Sequence, residues 1–181
     1  MYNTIDKAVD VLLQGGVIIY PSDTIWAIGC DATNKKAINK IFEIKKRDTS
    51  LPLICLMNNI EMMERYVYVD DEVKKFLSSN KLPTTIIYEK IKNFSTFKKS
   101  VGIRIPENNY CQDLIKKFGK PIISTSVNFS GKKFPNYFRD IDSEILDKVN
   151  YISKIGLNKK MCKASRIIKI LEDGNIKILR T

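Results

Sequence analysis

The spacing of apolar residues changes repeatedly along the chain. Ile5, Ala8, Val9, Leu12 and Leu13 recur at helical spacing and stop at Gly15 and Gly16, which predicts an N-terminal helix. Val17 to Tyr20 is a short apolar run suited to a buried strand, and Pro21, Ser22, Asp23 and Thr24 break it into a loop. Ala37, Ile38, Ile41 and Phe42 share one face of a second helix, and Leu53 to Leu56 reads as a strand. Asp70 is placed to cap a helix carrying Val73, Phe76 and Leu77. Thr84 to Tyr88 and Val101 to Ile105 are β-type runs, the second closed by Pro106. Tyr110 to Phe118 predicts a helix with Gly119 at its C-terminal end. Ile122 to Thr125 reads as another buried strand, running into the polar loop Ser126 to Asn136. A helix around Ile141 to Val149 follows. Two closing strands, near Ser165 to Leu171 and Ile176 to Leu179, are joined by a turn at Asp173, Gly174 and Asn175.

Helices and strands alternate with no repeat, linker or low-complexity stretch between them. The expectation is an α/β fold in one domain over residues 1–181, its open sheet mixed rather than all-parallel because of the late hairpin. A chain of 181 residues suits one hydrophobic core. No run approaches the roughly 18 apolar residues that span a bilayer. Met1 to Gln14 carries Asp6 and Asp10 at helical spacing, unlike a signal peptide. A soluble, cytoplasmic protein with no membrane partner is expected.

Composition narrows the chemistry. The chain has no histidine, which excludes Ser-His-Asp and Cys-His nucleophilic catalysis and removes the commonest general base. Cys30, Cys55, Cys111 and Cys162 lie far apart with no CxxC pair, so reduced, mostly buried thiols are expected and no metal site. The net charge of +11 admits three readings. It suits a nucleic-acid surface, the solvated lysines of a chain rich in Ile, Lys and Asn, or a polyanionic small substrate held by a few placed arginines.

Three segments put polar residues where strands end, the usual place for ligands in open α/β sheets. Tyr20 to Asp31 offers small hydroxyls and a carboxylate, with Trp26, the sole tryptophan, a candidate pocket wall. Lys45 to Leu53 gathers Lys45, Lys46 and Arg47 at a helix end, where cations suit the helix dipole or clamp a phosphate. Ser124 to Gly131 clusters hydroxyls, an amide and a glycine after a buried strand, a loop able to present donors to an anion. It lacks the P-loop pattern.

The order of YPSDTIWAIGCDA, IFEIKKRDTSLPL, VGIRIP, PIISTSVNFSG, KASRII and ILR, from Tyr20 to Arg180, resembles the YrdC-like family, the threonylcarbamoyl-AMP synthases of the tRNA t6A pathway. The resemblance implies a YrdC-like twisted open mixed sheet with flanking helices. It implies formation of threonylcarbamoyl-adenylate and pyrophosphate from L-threonine, bicarbonate and ATP, with Mg2+ on the triphosphate. A tRNA-modifying threonylcarbamoyl transferase complex would act downstream. Carried over residue by residue, it assigns Lys45 and Arg47 to catalysis on the ATP phosphates. It assigns Arg47, Leu51, Ser126, Asn128 and Arg180 to ATP, and Thr24, Arg104 and Ser165 to L-threonine.

The chain departs from the family pattern in places. Leu51 stands for an asparagine, Leu56 for a histidine found in many members, Val127 for an alanine and Arg166 for a threonine. Two other functions are compatible with the sequence. One is an RNA-binding module using a basic concave surface, with weak tRNA binding as its milder form. The other is carbamoyl transfer to another acceptor, as in the YrdC-like domain of hydrogenase-maturation proteins.

Overall fold

A computed structural model describes residues 4–97, 99–161, 163–171 and 175–181. The helices are α1 (Thr4–Leu13), α2 (Lys35–Lys45), α3 (Ile60–Tyr66), α4 (Asp71–Ser79), α5 (Asn109–Phe118) and α6 (Ser143–Leu146). The strands are β1 (Ile18–Pro21), β2 (Trp26–Gly29), β3 (Ile54–Leu56), β4 (Thr84–Tyr88), β5 (Val101–Arg104), β6 (Ile122–Ser126), β7 (Tyr151–Ile152), β8 (Arg166–Ile170) and β9 (Ile176–Arg180).

The strands form one nine-stranded sheet in the order β7-β1-β2-β6-β3-β5-β4-β8-β9. Pairs β1–β7, β3–β5 and β4–β8 run parallel and the other five antiparallel, so the sheet is mixed, as the closing hairpin predicts. Helices α1, α2 and α5 bury apolar stripes, and α1 packs on α5. The caps follow from residue type. Asn34 accepts from Ala37 N and Asp70 from Val73 N, and Gly119 ends α5 at φ 75°. Cys30, Cys55 and Cys111 are buried free thiols, and Cys162 lies outside the described residues.

Several expectations are corrected. The helix foreseen over Ile141–Val149 shrinks to a 3-10 turn at Phe138–Asp140 and the four-residue α6. Asn150 explains the early stop. Its N–H donates to Val17 O and its side-chain oxygen accepts from Val17 N, which draws the chain into β7 beside β1. Trp26 is no pocket wall. It is fully buried in β2 with Phe138 edge-on at 5.3 Å. The stretch Trp26–Gly29, to which the sequence reading gave no element, is a strand, and Gly29 lets it lie close to β6, since a Cβ there would sit 2.3 Å from Ile123 O. Helix α3, capped by Asn59, was also not foreseen. Of the predicted turn, Asp173 and Gly174 lie outside the described residues.

Candidate active site

A cavity of about 580 Å3 lies over the sheet. Its floor is one row of paired residues across four strands. Ser124 of β6 lies opposite Ile54 of β3, Ile54 opposite Gly102 of β5, and Gly102 opposite Ile87 of β4. Cross-strand partners point to the same face, so this row is a surface rather than a coincidence of lining. Gly102 keeps the floor low. A Cβ there would meet Thr85 Cγ2 at 3.1 Å and Ile87 Cδ1 at 3.4 Å.

Six residues nominated by sequence line the cavity: Thr24, Arg47, Arg104, Ser126, Ser165 and Arg180. They come from six separated parts of the chain. Arg104, at the end of β5, is 5% exposed, and its Nη1 donates to Asp23 Oδ1 at 2.6 Å. Its Nε is buried without a hydrogen-bond partner. Arg47 donates through Nη2 to Pro52 O at 2.9 Å, while its Nε is likewise buried and unpartnered. Burial lowers the Arg47 pKa below its usual value. Both guanidiniums thus retain donor capacity for an anion.

Arg180 reaches the cavity through an irregularity. Between β8 and β9 the register shifts, so that Ile168 faces Ile178 but Ile167 faces Arg180. Regular pairing would set Arg180 against Arg166, on the opposite face. The shift puts Arg180 beside Ile167, which lines the cavity. Its Nη2 donates to Ser165 O at 2.7 Å. Burial, and then the charge of Arg104, lower its pKa. Ser165 itself is buried and shares a hydroxyl–hydroxyl hydrogen bond of 2.9 Å with Thr85.

Three nominated residues stand apart from the lining. Lys45 is 1% exposed, and its ammonium donates to the carbonyls of Ser126 and, at 2.7 Å, Asn128. These two bonds make a loop tie: Lys45 holds the Ser126–Asn128 turn onto the end of α2. Burial, then the neighbouring Arg47 charge, push its pKa down to about 7. Asn128 turns its amide nitrogen onto Phe129 O and Lys132 O, at 2.9 and 2.6 Å, and so braces its own loop. Leu51 is 43% exposed, and the wall at that segment is made by Pro52 and Leu53 instead. Leu56 is fully buried beside Arg104 on the floor's face of the sheet, but it is not among the residues that line the cavity.

The sequence did not single out Asp23, Lys163 or Gly102. Asp23 sat inside a noted segment, but its partner lies 81 residues away, and no local pattern joins them. A second cavity of about 560 Å3 adjoins the first and shares Ser22, Thr24, Lys163, Ala164 and Thr181 with it.

An open mixed sheet carrying a cation-rich cavity on one face defines an anion-binding α/β protein. The family model described as "Telomere recombination", which takes in the Sua5, YciO and YrdC proteins, matches residues 10–181. The chain belongs to this family. A Methanocaldococcus jannaschii protein, named provisionally as a threonylcarbamoyl-AMP synthase, is 36% identical over 170 residues, covering 92% of this chain and 80% of that one. Among solved structures, Escherichia coli YciO superposes with a TM-score of 0.83 at 24% identity, over 97% of this chain and 87% of that chain. P. abyssi Sua5 complexed with L-threonine gives a TM-score of 0.80 at 22% identity, over 99% of this chain and 55% of that chain. This chain thus spans about half the length of that Sua5, and the two structural likenesses concern the fold alone.

Proposed function

We propose that the protein is an L-threonylcarbamoyl-AMP synthase, condensing L-threonine, bicarbonate and ATP with release of pyrophosphate and water. The observation that carries this is the convergence of Thr24, Arg47, Arg104, Ser126, Ser165 and Arg180 on one cavity. Kinship with the M. jannaschii relative supports the same reading.

In this reading Arg104, steadied by Asp23, holds the amino-acid carboxylate. The amine condenses with bicarbonate, losing water, to give a carbamate. A carbamate oxygen attacks the α-phosphorus as the bond to the β-phosphate oxygen breaks, and pyrophosphate leaves. The nucleophile is already an anion at that step, so no histidine base is needed. Arg47 and Arg180 offset charge on the phosphates, and the loop after β6 receives the nucleotide through Ser126. Lys45 and Asn128 act by shaping that loop.

Mg2+ belongs to the substrate here. Among the described residues no cluster of three or more candidate metal ligands exists, and Asp23 is already paired with Arg104. Phosphate oxygens would hold the ion. The product would pass to a tRNA-modifying threonylcarbamoyl transferase complex in the cytoplasm, and one domain over residues 1–181 would suffice for the synthesis. No helix among the described residues is long and apolar enough to cross a membrane.

The test is pyrophosphate release by the purified chain. Release should need L-threonine, bicarbonate and MgATP together. Release that is indifferent to threonine, or none from folded protein, rejects the assignment.

A further inference from the structure

Arg47, Arg104, Arg180 and Lys163 are the cations that line the first cavity, and the arginines are already tied to protein oxygens. Arg104 holds Asp23, Arg47 holds Pro52 O and Arg180 holds Ser165 O. Lys163 differs. It is exposed, and among the described residues its ammonium makes no hydrogen bond or ion pair. No aspartate or glutamate stands in this lining, so nothing there answers its charge.

Lys163 also stands at a junction. Ser22, Thr24, Lys163, Ala164 and Thr181 line both cavities, and Lys163 alone of these has a charged side chain. The second cavity adds Lys159, Lys160 and Arg166. Arg166 is engaged only by neutral oxygens, those of Thr84 and Asn80. The sole carboxylate side chain in that lining, Asp23, is already paired with Arg104. A wall of one sign draws anions toward the junction. It carries no aromatic side chain on which a base could stack, so it suits a small anion better than a nucleotide.

In the proposed reaction Arg104 takes the threonine carboxylate, and Arg47 and Arg180 take the phosphates. Bicarbonate, the remaining anionic substrate, has no cation assigned to it. Its carbon must reach the amine of an amino acid held beside Asp23 and Thr24, where the two cavities meet. A lysine ammonium is compact, and its donors turn freely to meet a small anion.

We propose that Lys163 receives bicarbonate at the junction and stays on the carbamate formed from it. This rests on the reading that the cavity condenses L-threonine, bicarbonate and ATP. The neutral amine attacks the bicarbonate carbon. The C–N bond forms as the C–OH bond breaks, and the hydroxyl leaves as water with a proton from the nitrogen. A single negative charge is present before and after this step, and one ammonium balances it throughout. When a carbamate oxygen then attacks the α-phosphorus, the charge passes to the departing pyrophosphate, beside Arg47 and Arg180.

The test is steady-state pyrophosphate release by the full chain, with bicarbonate, threonine and ATP varied in turn. Lys163→Met keeps the length of the side chain and removes its charge. It should raise the KM for bicarbonate about five- to tenfold, the loss of a charge-assisted hydrogen bond at a wet site. The KM values for threonine and ATP should stay within about twofold, because their arginines are untouched. Lys163→Arg, which keeps the charge, should recover most of the affinity for bicarbonate. An unmoved KM for bicarbonate in Lys163→Met overturns the proposal, as does a rise confined to the KM for ATP. A second readout is NMR line broadening of carbon-labelled bicarbonate by the folded chain, with L-threonine present and ATP absent. Broadening that Lys163→Met removes, in a chain that releases no pyrophosphate, would support the role of Lys163 while rejecting the catalytic assignment. Threonine-dependent pyrophosphate release, with bicarbonate use indifferent to the substitution, would do the reverse.

Discussion

At the scale of single residues, the site depends on how buried charges are held. Arg104 and Asp23 have side chains only 4% and 8% exposed, so each is tolerable inside mainly because the other is there. Asp23→Ala should therefore cost about 3–5 kcal/mol in urea unfolding, the usual penalty for stranding one charge of a buried pair. A loss within the range of an ordinary surface pair would show that the guanidinium reaches water. Arg104→Ala should mainly raise the KM for threonine, whereas Arg47→Ala should mainly raise that for ATP. Steady-state kinetics with each substrate varied would expose the opposite pattern if the two roles are reversed. Lys45 gives a pH prediction. Its folded pKa, near 7, lies below the ordinary 10.5. Between those values the unfolded chain holds a proton that the folded chain has released, so the Lys45 contribution makes stability rise with pH across that window. Below about 7 both states are protonated, and the cost of burying the ammonium is fully present. Urea titrations from about pH 7 to pH 10 should show this rise in wild-type protein and its loss in Lys45→Met. Equal slopes in both would place the Lys45 pKa at its normal value.

At the scale of elements, the floor of the cavity depends on strand register more than on any reactive group. Ser124, Ile54, Gly102 and Ile87 form a level row because four strands pair in register, and only a glycine at the centre leaves the row open. Gly102→Val would push branched methyls into that space against Thr85 and Ile87. It should lower kcat/KM for pyrophosphate release by at least about tenfold through substrate binding. Unchanged kinetics would mean that substrates do not approach the floor. The row also shows what the sequence could and could not disclose. Helices α2, α4 and α5 were legible because the apolar face of α2, and the apolar faces and end residues Asp70 and Gly119 of the other two, are local features. Strand β4 was legible for the same kind of reason. The pairing of Ile54 with both Ser124 and Gly102 is long-range and leaves no local trace. Nor does the register shift that turns Arg180 toward the cavity. Strand β2 was hidden because its four residues are too few to show a period, and it is pairing with β1 and β6, with the close approach at Gly29, that makes them a strand.

At the scale of the whole molecule, the remaining question is what the charge of +11 is for. Individual motif residues could be nominated from the sequence, but whether the excess lysines serve a surface or a pocket depends on where the chain folds them. The structure divides them. Arg47, Arg104, Arg180 and Lys163 line the cavity, while many lysines remain exposed elsewhere. If the charge serves a polyanionic substrate, its effect should fall on ATP, with about four negative charges, and spare threonine, a zwitterion. The Debye length shrinks from roughly 10 Å at 0.1 M salt to about 3 Å at 1 M, so added salt removes long-range attraction but leaves contacts inside a cavity largely intact. Raising NaCl from about 50 mM to about 500 mM should therefore raise the KM for ATP several-fold while the KM for threonine stays within about twofold. Equal rises for both would show that the cavity charge is not directed at the nucleotide. The competing use, an RNA-binding surface, makes its own demand on the same titration. It needs tRNA affinity that survives physiological salt and falls steeply with further salt, in proportion to the phosphates neutralised. Tight tRNA binding together with a salt-indifferent KM for ATP would transfer the charge from the pocket to the surface. Weak tRNA binding with a salt-sensitive KM for ATP would leave it with the pocket, where the arginines of three separate strands and loops already converge.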